Sequence, residues 1–158
     1  MIISEREIYQ LAFNRDMSDN LLLDTQIQAA FKSWIVDYLG ESFAKIIETN
    51  QGGGLDELIE SYVKPILAFG TLHDNFYHIT MNMTDKGIIQ MLIEGTANVM
   101  SDTRLETAKR EIKSTCFRML ENLDLYCRNN EIEGYEGLKL KTSHYKHIGA
   151  ERMNRIRY

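Results

Sequence analysis

Residues 103–129 read TRLETAKREIKSTCFRMLENLDLYCRN, and this run decides the fold class. Leu105, Ala108, Ile112, Cys116, Met119, Leu120, Leu123 and Tyr126 recur at steps of three and four, the period of an amphipathic helix. Thr103-x-x-Glu106 forms a capping-box signature at its start, and Asn129-Asn130 marks its end. At the usual rise such a helix is roughly 40 Å long. It needs other helices to cover its stripe, so the expected fold is mainly α, a helical bundle.

Upstream, Ser4-x-x-Glu7 predicts a short helix through about Asn14, and the polar stretch Arg15–Asn20 a linker with Asp19 and Asn20 as cap residues. Leu21–Leu39 carries Leu23, Ile27, Ala30, Phe31, Trp34, Ile35 and Tyr38 on one helical face and ends at Gly40, where a helix-terminating glycine belongs. Glu41–Thr49 predicts a second short helix. Gly52-Gly53-Gly54 interrupts the pattern before a helix from Leu55 to about Phe69, which Pro65 should kink or divide because its ring removes a backbone donor.

One segment departs from this periodicity. Tyr77, Ile79, Met81 and Met83 alternate with His78, Thr80 and Asn82, and Thr84-Asp85-Lys86-Gly87 is a turn signature before Ile88–Ile93. The expectation is a β-hairpin at about 77–93. An isolated hairpin is marginal in water, so this one must lie on the helices or pair with another chain.

Charge divides the chain unequally. Residues 138–158 hold six Lys/Arg (Lys139, Lys141, Lys146, Arg152, Arg155, Arg157) and one acid, Glu151; residues 1–137 hold twelve bases and twenty-two acids, a balance of −10 against +5. The expected organisation is therefore a helical domain over residues 1–137 and a basic, extended C-terminal arm over residues 138–158.

Several function classes recede on composition. A formal charge of −5 argues against a body that coats nucleic acid. No apolar run approaches the ~20 residues that cross a bilayer, and the N-terminus lacks a basic region followed by an apolar stretch, so neither a membrane partner nor a secretory leader is expected. Cys116 and Cys127, eleven apart in one helix, are separated by roughly 16 Å, beyond disulfide reach. Reduced thiols and a cytosolic setting are expected.

Candidate chemistry is thin. His73, Asp74 and His78 carry metal-binding groups, but their spacing suits neither one helix face nor one strand face. Gly52–Gly54 precedes Leu55-Asp56-Glu57, whose acids would repel a phosphate, so a connector is the better reading. Cys116 lies on the apolar stripe, and Cys127 lies at its margin. The carboxylates Asp56, Glu57, Glu60, Glu106, Glu111, Glu121 and Asp124 read as a solvated face. No catalytic residues, metal or cofactor are expected, and the chain does not read as an enzyme.

The arm has three readings: a disordered solubilising end, a nucleic-acid-binding tail with Lys/Arg interleaved among His144, Tyr145, His147 and Tyr158, or a segment that orders on a protein partner through Tyr145, Ile148, Met153, Ile156 and Tyr158. The regular spread of apolar anchors favours the third over the first.

The order of segments carries a resemblance. Tyr38-Leu39-Gly40-Glu41-Ser42-Phe43 closes a long amphipathic helix. It is followed by Leu55…Tyr62-Val63-Lys64-Pro65-Ile66-Leu67-Ala68-Phe69, an alternating segment ending in Thr84-Asp85-Lys86-Gly87-Ile88, and a long final helix with a polar tail. Over about residues 2–130 this resembles the head–tail connector (adaptor) proteins of tailed bacteriophages, most of all the neck ring proteins of crAss-like phages. The resemblance implies an all-α bundle with a small β element and a ring, usually of twelve copies, on the portal vertex. Such a ring extends the DNA channel, joins head to tail and helps retain the genome.

It also implies a C-terminal arm that clasps the portal, here Lys139, Lys141, Tyr145, Lys146, Ile148, Arg152, Arg155, Ile156, Arg157 and Tyr158. The implied partners are further copies of the chain, the portal, other neck or tail proteins and DNA passing without sequence specificity. The place implied is the neck of the virion, after assembly in the host cytoplasm. The hairpin edge, with Tyr77, Ile79, Met81, Met83, Lys86 and Ile88, is the expected contact between subunits. The competing expectation is a helical nucleic-acid-binding regulator that uses the same basic tail.

Overall fold

Helices account for 82 % of the described residues. The computed structural model describes residues 2–13, 22–49, 54–83 and 102–139. Helix α1 (Glu5–Phe13) starts where the capping box places it: Glu7 Oε2 accepts the Ser4 N–H at 2.8 Å, and Ser4 Oγ accepts the Glu7 N–H at 3.3 Å. Helix α2 (Asp24–Phe31) begins later than the apolar pattern, after Leu23, whose N–H is accepted by Gln26 Oε1 at 2.8 Å. The anticipated caps Asp19 and Asn20 lie outside the described residues.

From α2 the chain widens into a π-helical turn (Lys32–Val36) and closes as α3 (Asp37–Leu39). Gly40 then turns the chain with φ of 91°, a conformation that favours glycine, into α4 (Glu41–Thr49). Helix α5 (Asp56–Leu58) likewise passes through a π turn (Ile59–Val63) into α6 (Lys64–Asp74). The wide turn directly precedes Pro65, the expected point of division. Proline has no N–H for the Ser61 carbonyl one turn back, and the five-residue register, in which the Lys64 N–H reaches the Ile59 carbonyl, ends just before it.

Helix α6 is the centre of the bundle. Ile66, Leu67, Ala68, Gly70, Thr71 and Leu72 are all buried, so it is covered nearly all round, by α1, α2 and the long α8 (Asp102–Asn129). Trp34, from the first π turn, lies over Gly70; a Cβ there would stand 2.6 Å from the indole. The same indole meets Phe117 of α8 at 5.7 Å between centroids and donates Nε1–H to Asp74 Oδ2 at 3.1 Å. The second π turn contributes Tyr62, whose ring lies tilted against that of Tyr126 of α8 at 4.6 Å between centroids. Each widened turn thus presents one aromatic ring to the long helix.

The expected hairpin is corrected in its first half. Phe76–Met83 is helix α7, not a strand, so Tyr77, Ile79, Met81 and Met83 lie on a helix, and no strand occurs among the described residues. Phe76 and Ile79, three apart, are both buried. That spacing is helical, and the Asn75 carbonyl accepts the Ile79 N–H at 2.9 Å. The alternation in the sequence coexists with this helical pair, and packing onto the bundle decides between them. Lys86, Ile88 and the rest of the anticipated return strand lie outside the described residues.

Candidate functional site

The base of the C-terminal arm is the best-defined polar arrangement near the predicted site residues. Helix α8 ends in a Schellman turn: Glu131 takes φ of 49°, the Ile132 N–H reaches the Cys127 carbonyl at 3.1 Å, and the Glu131 N–H reaches that of Arg128 at 3.4 Å. Gly134 and Gly137, at φ of 76° and 101°, then bend the chain back over α3 and α4. Gly134 passes close to Ile46, a Cβ there falling 2.3 Å from Ile46 Cδ1, so a side chain would have to displace that methyl as well as adopt an unfavourable φ.

Two residues pin this strap. Tyr135 packs edge-on against Phe43 at 4.9 Å. Its hydroxyl donates to Asp124 Oδ1 at 2.7 Å. Asp124 also accepts the Leu138 N–H at 3.2 Å and the Arg128 Nε–H at 3.0 Å. Burial works against the charged carboxylate, but the donors from Tyr135, Arg128 and Leu138 together outweigh it and hold Asp124 below its ordinary pKa. Burial and the bond to Asp124 push the Tyr135 phenol well above its usual range. At neutral pH this is an ionised hub with a neutral tyrosine. Asp124 is only 16 % exposed, so the solvated-face reading does not hold for it. The one trace of its role in the sequence is Arg128, four residues on.

Lys139, the first predicted arm residue, is fixed by its backbone. Its N–H donates to the Tyr38 carbonyl at 2.7 Å, while its ammonium pairs with Glu136 at 3.1 Å. The arm residues Lys141, Tyr145, Lys146, Ile148, Arg152, Arg155, Ile156, Arg157 and Tyr158 lie outside the described residues. Tyr77 is 39 % exposed, its hydroxyl donates to Glu106, and the Lys109 ammonium sits 4.3 Å over its ring. Ile79 is buried in the core and is no surface group.

Other titratable groups serve packing. Asp74 accepts from Ser33 Oγ at 2.8 Å and from Trp34, and pairs with His73 Nδ1 at 2.9 Å. Asp74 thereby ties α2's extension to the end of α6. No set of three His, Cys, Asp or Glu converges as a metal site among the described residues. Cys116 and Cys127 are free and buried, and burial, followed by the nearby charges of Asp74 and Asp124 respectively, pushes each thiol up to about 12. Neither is a nucleophile at neutral pH. No described helix is long and apolar enough to cross a membrane.

No protein-family model, curated protein or solved structure matches the chain.

Proposed function

We propose that this chain is a structural, non-catalytic virion protein, a subunit of the ring beneath the portal that joins head to tail and extends the DNA channel. The observation that carries the reading is the fixed base of a basic arm on an acidic body. Residues 1–137 sum to −10 and residues 138–158 to +5. The junction is held by Asp124, Tyr135 and Tyr38 rather than left as a free linker. A root fixed as far as Lys139 gives the segment after it a defined starting point on the bundle, which favours clasping a defined partner such as the portal. The acidic body suits a channel through which DNA slides without sticking. Its partners are then copies of itself, twelve by the resemblance, the portal, further neck or tail proteins, and packaged DNA without sequence specificity. Its place is the virion neck, after assembly in the host cytoplasm.

The test is co-expression with the portal encoded in the same genome, followed by electron microscopy, for the full chain and for a chain ending at Lys139. The full chain should seat as a ring on the portal, and the shortened chain, with its strap intact, should not. Salt-dependent binding to short DNA duplexes with no portal binding would overturn the reading in favour of a nucleic-acid regulator.

A further inference from the structure

Leu125 stands 58 % exposed on α8, between the buried Leu123 and Cys127. It belongs to a shallow depression of about 320 Å³ lined by Tyr62, Asn122, Leu125, Tyr126, Asn129 and Asn130. The paired rings of Tyr62 and Tyr126 and the Leu125 side chain make it apolar on one side. Asn122 and Asn129 add exposed amides, while Asn130 already donates to the Tyr126 carbonyl at 2.9 Å.

The surroundings are negative. Glu57 acts electrostatically on Tyr126, Glu121 lies one turn before Leu125, and Asp56 precedes the π turn that carries Tyr62. Two cations on the same elements are paired with acids, Lys64 with Glu7 and Glu60 and Arg128 with Asp124. The C-terminal end of α8 adds the partial negative charge of its last carbonyls.

We infer that this depression is the docking site for the C-terminal arm of a second copy of the chain. Residues 140–158 carry five Lys/Arg against one Glu, and Tyr145, Ile148, Met153, Ile156 and Tyr158 recur among them. A cationic segment with aromatic and aliphatic anchors is the complement of an acid-rimmed apolar hollow. The arm of the same copy starts on the wrong side. Leu138 is tied to Asp124, and the helical repeat puts Asp124 about 140–160° around α8 from the row Asn122–Tyr126–Asn129. Contacts of this kind are head-to-tail and close a ring when repeated. The docking takes over the lateral role that a strand edge at Tyr77–Met83 cannot fill.

Sedimentation velocity on the purified chain tests this without any portal. The full chain should self-associate with rising concentration at low salt and dissociate as salt is raised. Leu125→Asp, a surface change, and the chain ending at Lys139 should each lose association at least tenfold. Mixed together they should form a one-to-one complex, because one keeps the hollow and the other keeps the arm. The full-length Lys141→Glu/Lys146→Glu variant should behave like the shortened chain and guards against a truncation that folds poorly. A full chain that stays monomeric, a shortened chain that associates as well as the full one, or a mixture that forms no complex overturns the inference. A chain that self-associates through its arm yet ignores the portal would sink only the function proposed above.

Discussion

The two halves of α8 share one apolar stripe and differ in what covers it. In the C-terminal half Cys116, Phe117, Leu120, Leu123 and Cys127 are buried, and the half is held by Trp34 and Tyr62 from the two π turns, by Tyr38 of α3 and by the strap that returns through Tyr135. In the N-terminal half no residue from 103 to 115 is buried, and Leu105, Ala108 and Ile112 are only half-covered. Periodicity names the face of a helix that seeks cover. How deep that face goes depends on which other elements arrive, and those come from distant parts of the chain.

The sharpest way to break this comparison is to remove the same kind of volume from each half. Leu120→Ala should cost about 2–5 kcal/mol in urea unfolding, the range for a fully buried leucine. Ile112→Ala should cost well under half of that, because its side chain is partly solvated already. Equal losses would mean that the N-terminal half is packed as tightly as the other.

A second variant tests whether the π turn is what secures the C-terminal half. Gly70→Ala drives a methyl into the Trp34 indole, which Asp74, Tyr38 and Phe117 hold in place. Overpacking of this kind costs about 1–3 kcal/mol, partly offset by the gain of up to about 1 kcal/mol for alanine over glycine in a helix. Trp34 is the sole tryptophan, so its fluorescence reports the displacement directly. A stabilised variant with an unchanged spectrum would show that the ring has room to move.

Much of this was legible beforehand, for local reasons. The Ser4/Glu7 box, Gly40 as a terminator, the span Glu41–Thr49 and the long helix need only near neighbours to form. Pro65 correctly marked a disturbance. The π turns themselves left no other trace, because a widened turn is chosen by what Trp34 and Tyr62 meet on α8. The segment from Tyr77 to Met83 was misjudged because seven residues satisfy both periods, and the buried pair Phe76 and Ile79 decides only once α6 is beside it. Asp124 was missed as a hub because its partners Tyr135 and Leu138 lie across a turn whose course depends on Glu131, Gly134 and Gly137.

Asp124 gives the next test, on the strap. Asp124→Asn should cost about 1–3 kcal/mol, the scale for weakening hydrogen bonds to a part-buried charged group, and should speed hydrogen exchange at the Leu138 amide. The pH dependence follows from the depressed carboxylate. Its contribution is fully present above the ordinary value of 3.8 and is lost as pH falls through that value toward the lower folded one. Glu7 behaves in the same sense at the other end of the molecule: burial opposes its charge, but Lys64 and Ser4 outweigh burial and lower it from 4.5 to about 2. Acid should therefore loosen the Glu7 site between about pH 4.5 and 2 and the Asp124 site as pH falls below 3.8. Asp124→Asn should remove the acid sensitivity of the Leu138 amide and leave that of α1 in place. An amide whose exchange ignores both the substitution and acid would show that Phe43 and Tyr38 hold the strap unaided.

The smallest effect belongs to the N-terminal half and is informative for being small. Tyr77 bonds Glu106 and carries Lys109 over its ring, a pairing of exposed and half-buried groups on α7 and α8. Such contacts are screened by water and usually contribute between a few tenths and about 1 kcal/mol. Tyr77→Phe keeps the ring and the cation and deletes only the hydroxyl, so its cost in urea unfolding should fall at the bottom of that range. The same deletion at Tyr135, Tyr135→Phe, leaves Asp124 short of a donor at a part-buried site and should cost several times more. If the two tyrosines prove equal, water excluded at the strap is not what separates the ends of α8, and the half-covered stripe through Leu105 and Ile112 would have to be a firm interface in its own right.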